Sequence, residues 1–325
     1  MLDKLFFAAV LTFAVCSCGK QAAKVQGQQV VAVPEFNVDS AYHYTAEQVS
    51  FGPRVPNTSS HEACAKYLAD KLKTFGFEVT VQATTLHLLD GTPINIKNII
   101  GVLSPEKTNR IMLCAHWDSR PFADYDPNPA NRNKAIDGAN DGAGACAALL
   151  EIARQAGLSQ PAAGVDIILF DAEDWGKNHD DITTKHHGEW CMGSHYWAKN
   201  PHTPDYHANY GILLDMVSGY DAQFYKEYYS MEYASHVVQK VWNVAQAIGY
   251  GNYFPNRNGG AIEDDHLQVN LYRQIPCIDI IQYEPDSETG FADFWHTLDD
   301  NMEHISRETL KAVGQTVLHV IYSEK

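Results

Sequence analysis

Histidine and carboxylate side chains close several apolar runs of this chain. His116 and Asp118 end "RIMLCAHWD", Glu173 and Asp174 end "VDIILFDAED", and Asp215 closes "YGILLD". Asp141 lies in the glycine-rich "GANDGAGA", and His296 stands between Trp295 and Thr297 in "FADFWHTLDDN". Taken alone, a strand-terminal aspartate is commonly a helix cap or a turn former. Gathered at one edge of a sheet, these carboxylates would repel one another and cost stability unless a cation neutralised them. With His296 as a nitrogen donor, the cation that suits this mixed oxygen and nitrogen set is zinc.

For those groups to meet, the segments that carry them must lie side by side. "FEVTVQA" and "INIKNIIGVL" are β-branched runs, and "RIMLCAHWD" is a third. "VDIILFDAED", "YGILLDMVS" and "IPCIDIIQYE" are nearly continuous apolar runs with polar ends, the pattern of buried strands. Between them, helical spacing predicts helices over 61–75 (with Gly76 as a stop), 142–156, 194–199, 231–248 and 308–322. The alternation predicts an α/β sandwich, with neither an internal repeat nor a second domain. In such folds ligands bind beyond the carboxyl ends of the central parallel strands, which is where the candidate residues fall. The Pro-, Asn- and Asp-rich stretch 119–140 reads as a surface loop. The stretch "GKNHDDITTKHHGEW", with His179, His186 and His187, reads as a solvated loop rather than a metal site, because nothing in it fixes ligand geometry.

The chain has 325 residues, 45% of them hydrophobic, enough for a large buried core. Lys and Arg total 24 against 40 Asp and Glu, a formal charge of -16 that repels a nucleic-acid backbone. "MLDKLFFAAVLTFAVCSC" has one lysine and a short apolar run too brief for a comfortable membrane span, so residues 1–18 read as an export signal. The cysteine after a small residue resembles a bacterial lipobox, making Cys18 a lipid anchor and the protein a periplasmic lipoprotein; a plain signal peptide is the alternative. Residues 19–35 have the composition of a flexible tether, and a single folded domain is expected over 36–325. Cys64, Cys114, Cys146, Cys191 and Cys277 form no CxxC pair and are expected to be buried free thiols.

"HWDS", Asp141 in its glycine-rich turn, the Glu173-Asp174 pair and "LLDM" together resemble the zinc aminopeptidase-like (M28) fold. "IEDDH" at 262–266 and "WHTLDDN" at 295–301 narrow the resemblance to the animal-type glutaminyl cyclases, and it runs over nearly the whole mature chain. It implies a three-layer sandwich with a central mixed, mostly parallel sheet, and Asp141, Asp174 and His296 as ligands of one Zn2+. It further implies Glu173 as general acid/base with Asp215 and Asp264 as its hydrogen-bonding partners, and Trp295, Phe291 and Ile262 around the glutamine side chain. Asp174 stands where the animal enzymes have glutamate. Cys146 matches a cysteine disulfide-bonded there, but the partner position is Ala115, and Cys114 is expected to face the other way. Trp175 and Trp190 both compete for one pocket position.

The implied activity is glutaminyl-peptide cyclotransfer, conversion of the N-terminal glutamine of peptides and proteins to pyroglutamate with release of ammonia. The substrate's own α-amine attacks its tethered γ-carboxamide, so proximity supplies much of the rate. The competing expectation is an aminopeptidase with a second zinc held by His116, Asp215 and the bridging Asp141. A surface lipoprotein that only binds peptides is disfavoured, because neither Glu173 nor any metal ligand is lost.

Overall fold

The computed structural model describes residues 32–179 and 189–325; the proposed signal (1–18), most of the tether, His186 and His187 lie outside the described residues. Six strands form one sheet: β1 (Glu78–His87), β2 (Pro93–Leu103), β3 (Arg110–His116), β4 (Gly164–Phe170), β5 (Tyr210–Asp215) and β6 (Cys277–Ile281). Their order is β1-β2-β4-β3-β5-β6. The first two pairings are antiparallel, and β4, β3, β5 and β6 run parallel, giving the mixed, mostly parallel sheet that was expected. Every residue of β3 to β6 is buried, whereas the edge strand β1 has no fully buried residue. Parallel strands covered by helices on both faces need apolar side chains at every position, which is why these runs are continuous rather than alternating.

Helices α1 (Val38–Ser50), α2 (Ser59–Thr74), α3 (Ala145–Leu158), α4 (Met192–Lys199), α5 (Tyr228–Ala247), α6 (Asp265–Gln268) and α7 (Arg307–Ser323) complete the three layers. Leu68 of α2, Leu149 of α3, Val238 of α5 and Val317 of α7 share the larger core with Ile111, Leu113 and Ala115 of β3. On the opposite face, Met112 and Cys114 of β3 and Phe170 of β4 pack with Trp197 of α4. Cys114 and Ala115 therefore point apart, and Cys146 donates its thiol proton to the His116 carbonyl at 3.1 Å. All five described cysteines are buried and free, in line with the sequence reading.

Helix α1 has no counterpart in the sequence reading. Its buried side consists of Ala41, Tyr44, Thr45 and Gln48, and two polar residues on that face hide the apolar period. Gln48 is at home there because its amide donates to the Ala143 carbonyl at 3.0 Å. The start of α3 also differs from the expected Gly142. Asp141 (φ -87°, ψ 88°) and Gly142 (φ 102°) leave the helical region, and the helix proper begins at Ala145. Only glycine fits at 142, since a Cβ there would lie 2.8 Å from the Asp118 carbonyl oxygen. The stretch 119–140 is a surface loop only in its middle. Ser119, Arg120, Ala123 and Asp124 at its start and Ile136 at its end are buried, because ion pairs satisfy the charged groups below the surface.

Candidate active site

Each parallel strand delivers its terminal residues to one place. His116 ends β3, Asp215 ends β5, and Glu173 and Asp174 follow β4 through Ala172, whose φ of 53° turns the chain sharply out of the strand. Asp141 arrives on the kinked turn before α3. His296, itself held at φ 54°, comes from the segment after β6. A small pocket of about 90 Å³ is lined by Asp141, Glu173, Asp174, Asp215, Glu263, Asp264, His296 and the apolar side chains of Trp190, Met216, Ile262, Ile281, Phe291 and Trp295. The residues expected to serve as zinc ligands, acid/base group and substrate wall all line it, whereas His116 lies behind Asp141 and Asp215 and does not.

The rings of Phe291 and Trp295 are 4.8 Å apart, and Trp295 stacks on His296 at 3.6 Å. Of the two candidate tryptophans, Trp190 lines the pocket, with its ring parallel to that of His296, while Trp175 packs against the cluster of Ile94 and Ile96. Gly176 makes that placement possible, for a Cβ at 176 would lie 1.8 Å from the Trp190 ring.

One ligand atom from each of Asp141, Asp174 and His296 falls within a common 4.8 Å. His296 Nε2 is 3.2 Å from Asp174 Oδ1 and 3.5 Å from Asp141 Oδ2. Atoms about 2.0–2.1 Å from a tetrahedral zinc are on the order of 3.3 Å from one another, so these separations suit it. Asp174 Oδ2 is buried without a hydrogen-bond partner, and His296 Nδ1, turned away from that oxygen, lies 3.6 Å from Asp124 Oδ1. Burial, and then the Arg120 charge, hold His296 well below its ordinary pKa, so the imidazole is neutral and offers a lone pair. Burial and the neighbouring Asp141 push Asp174 well above the usual carboxylate range. A cation among these atoms would relieve that strain.

His116 has the opposite character. Its Nε2 lies 2.9 Å from Asp141 Oδ1 and 3.2 Å from Asp215 Oδ1, and its Nδ1 is 3.5 Å from Asp118. Burial alone would keep it neutral, but bonds to Asp118, Asp141 and Asp215 outweigh that and raise its pKa well above the ordinary value. Asp215 was expected to bond Glu173; its hydrogen bond is instead to His116, since the two end neighbouring strands. Burial and the charges of Asp141 and Asp264 push Asp215 up to about 7.

Glu173 is raised well above the usual carboxylate range, first by burial and then by the charge of Asp264. Cys191 donates its thiol proton to Glu173 Oε1 at 3.2 Å, and atoms of Glu173, Cys191 and Asp264 lie within 4.8 Å of one another. Asp264 also caps α6, accepting from the Asp265 amide.

Several supporting residues were given no individual role by the sequence. Asp118 accepts the amide protons of Glu173 and Asp174 at 3.1 and 3.2 Å, fixing the acidic pair. Asp300, in the quoted "WHTLDDN" but given no role there, accepts from the amides of Asn140 and Asp141 at 2.7 and 3.0 Å. Arg120 is buried, pairs with both oxygens of Asp124, donates to the Asp174 carbonyl and lies 4.6 Å from the Trp190 ring centre. Of the loop histidines, His179 is described: its amide donates to Asp124, and its ring packs on Tyr125 at 4.8 Å.

Residues 98–321 match the model of peptidase family M28. The chain therefore belongs to that family. Its place within the family is among the glutaminyl cyclases. It is 53% identical to the glutaminyl cyclase of Tannerella forsythia, with 90% of this chain and 100% of that one covered and a TM-score of 0.88. A structure described as a Zn-dependent exopeptidase from Parabacteroides distasonis is 56% identical, with the same coverage and a TM-score of 0.89. Glutaminyl-peptide cyclotransferase of Bos taurus is 25% identical over 303 residues, 83% of this chain and 78% of that protein.

Proposed function

We propose that this enzyme is a single-zinc glutaminyl-peptide cyclotransferase that closes the N-terminal glutamine of peptides and proteins into pyroglutamate. The observation that carries this reading is one pocket that joins the Asp141, Asp174 and His296 ligand set to Glu173 and to the apolar walls of Trp190, Ile262, Phe291 and Trp295. One atom each of His116, Asp141 and Asp215 also falls within a common 4.8 Å, the set a second metal would use in a hydrolase of this fold. Asp141, Asp174 and His296 would hold the zinc, which would supply Lewis-acid polarisation of the γ-carbonyl.

The rest of the work falls to the protein. Trp190, Ile262, Phe291 and Trp295 enclose the glutamine side chain and exclude water, which favours cyclisation over hydrolysis. Glu173 accepts a proton from the α-amine as its nitrogen bonds to the γ-carbon, then delivers it to the amide nitrogen as the carbon–nitrogen bond breaks and ammonia leaves. Cys191 holds that carboxylate by its thiol hydrogen bond, and Asp264 lies beside it without a hydrogen bond to it and raises its basicity through its charge. With purified enzyme and an equal mixture of Gln-Ala and Leu-Ala, mass analysis should show loss of ammonia from the former and an unchanged latter. Free leucine would instead establish an aminopeptidase with both metal positions in use.

Export is part of the same reading and rests on residues 1–18, with Cys18 as the lipid anchor that tethers the domain to a periplasmic membrane face. Substituting Cys18→Ala should move the protein from the membrane fraction to the soluble one. Unaltered fractionation would remove the anchor from the proposal.

A further inference from the structure

A far larger groove of about 1070 Å³ lies beside the catalytic pocket. The two share Trp190, Ile262, Glu263, Phe291 and Trp295, so they adjoin along a common wall. Sites that enclose a drug-sized ligand occupy roughly 300–1000 Å³, and cyclisation itself needs room only for one glutamine. The groove has a direction. Met192, His195, Tyr196 and Lys199 line it at i, i+3, i+4 and i+7, one face of α4 from end to end. The start of α4 adjoins the catalytic base, since Cys191 immediately before it donates to Glu173. From Met192 to Lys199 the helix rises about 10 Å, the reach of roughly three extended residues.

The walls suit a polypeptide. Tyr272 is 46% exposed, stands edge-on to His195 at 4.8 Å and carries the Lys199 ammonium over its ring at 4.4 Å. Such an aromatic platform accepts backbone and varied side chains. Lys199, at the carboxyl end of α4, is the lysine of the lining, and Glu263 and Glu288 are its carboxylates.

We infer that the groove along α4 binds the three residues that follow the glutamine of a polypeptide N-terminus, with an acidic side chain at the fourth position meeting Lys199. This rests on the cyclase reading and deepens it: dipeptides are turned over, and extended chain ends are preferred because they fill the groove. The test compares C-terminally amidated Gln-Ala with Gln-Ala-Ala-Glu. The tetrapeptide should have a kcat/KM roughly tenfold higher, carried by KM, because the added contacts are the same in ground and transition states. Tyr272→Ala and Lys199→Glu should each remove at least about threefold of that advantage while leaving the dipeptide unchanged. Equal kcat/KM for the two lengths, or variants that impair both peptides alike, would overturn the groove assignment while the cyclase stands. Absence of cyclisation with either peptide would overturn the catalytic reading and this one with it.

Discussion

Exchanging Glu173 for glutamine should lower kcat by roughly 10²- to 10⁴-fold, the usual contribution of a positioned acid/base, with bound zinc unchanged. The substitution keeps size and hydrogen-bonding shape but cannot accept a proton. Glu173 is outside the Asp141, Asp174 and His296 set, so metal content has no reason to fall. Burial and the Asp264 charge raise its pKa, which makes its carboxylate a stronger base for this transfer. Only the neutral amine attacks, so the parent enzyme should speed up from neutral toward mildly alkaline pH. The substrate's limb of that profile should persist in the variant's residual activity. Turnover within a few-fold of the parent, at equal zinc content, would exclude Glu173 as the proton carrier.

Removing the metal site should have the second large effect, on activity and stability together. In His296→Ala the two remaining ligands are buried carboxylates, and stoichiometric zinc should be lost along with measurable cyclisation. Chelating the parent enzyme should do the same reversibly. A ligand held at a thousand times its Kd stabilises a fold by about 4 kcal/mol, so Tm should fall on chelation and recover with zinc. The pH dependence has a definite sign. In the metal-free protein the Asp174 pKa is raised, so its contribution to stability is fully present below the unfolded value of about 3.9 and is lost as pH rises through the folded one. Zinc binds the ionised form, and its stabilisation should grow over that same window. Calorimetry with and without chelator at several pH values measures this directly; full activity after exhaustive chelation would refute a metal-dependent mechanism.

Much of the scaffold could be read in advance because strand burial is a local property. β3 to β6 are buried on both faces, so each is written as an unbroken apolar run, and each run's end marks the carboxyl edge of the sheet. Helices capped by Thr58 and Ser306 carried enough apolar period to be found. Helix α1 did not, because Thr45 and Gln48 are buried through hydrogen bonds that no periodicity registers.

The site divides along the same line. Residue types at strand ends carried the proposed chemistry: carboxylates and a histidine gathered at one edge call for a cation, and Glu173 beside them is the group proposed as acid/base. Partnership was decided by the tertiary structure. Asp215 turned to His116 because β5 lies against β3, and Trp190 rather than Trp175 reached the pocket because Gly176 leaves room for its ring. Asp300 holds Asp141 from 159 positions away, and Arg120 braces Asp174 from 54. Sequence determines what each side chain is able to do and how its own segment folds. Which groups share a proton, a metal or a wall depends on contacts between distant segments, and those exist only once the sheet has set them side by side.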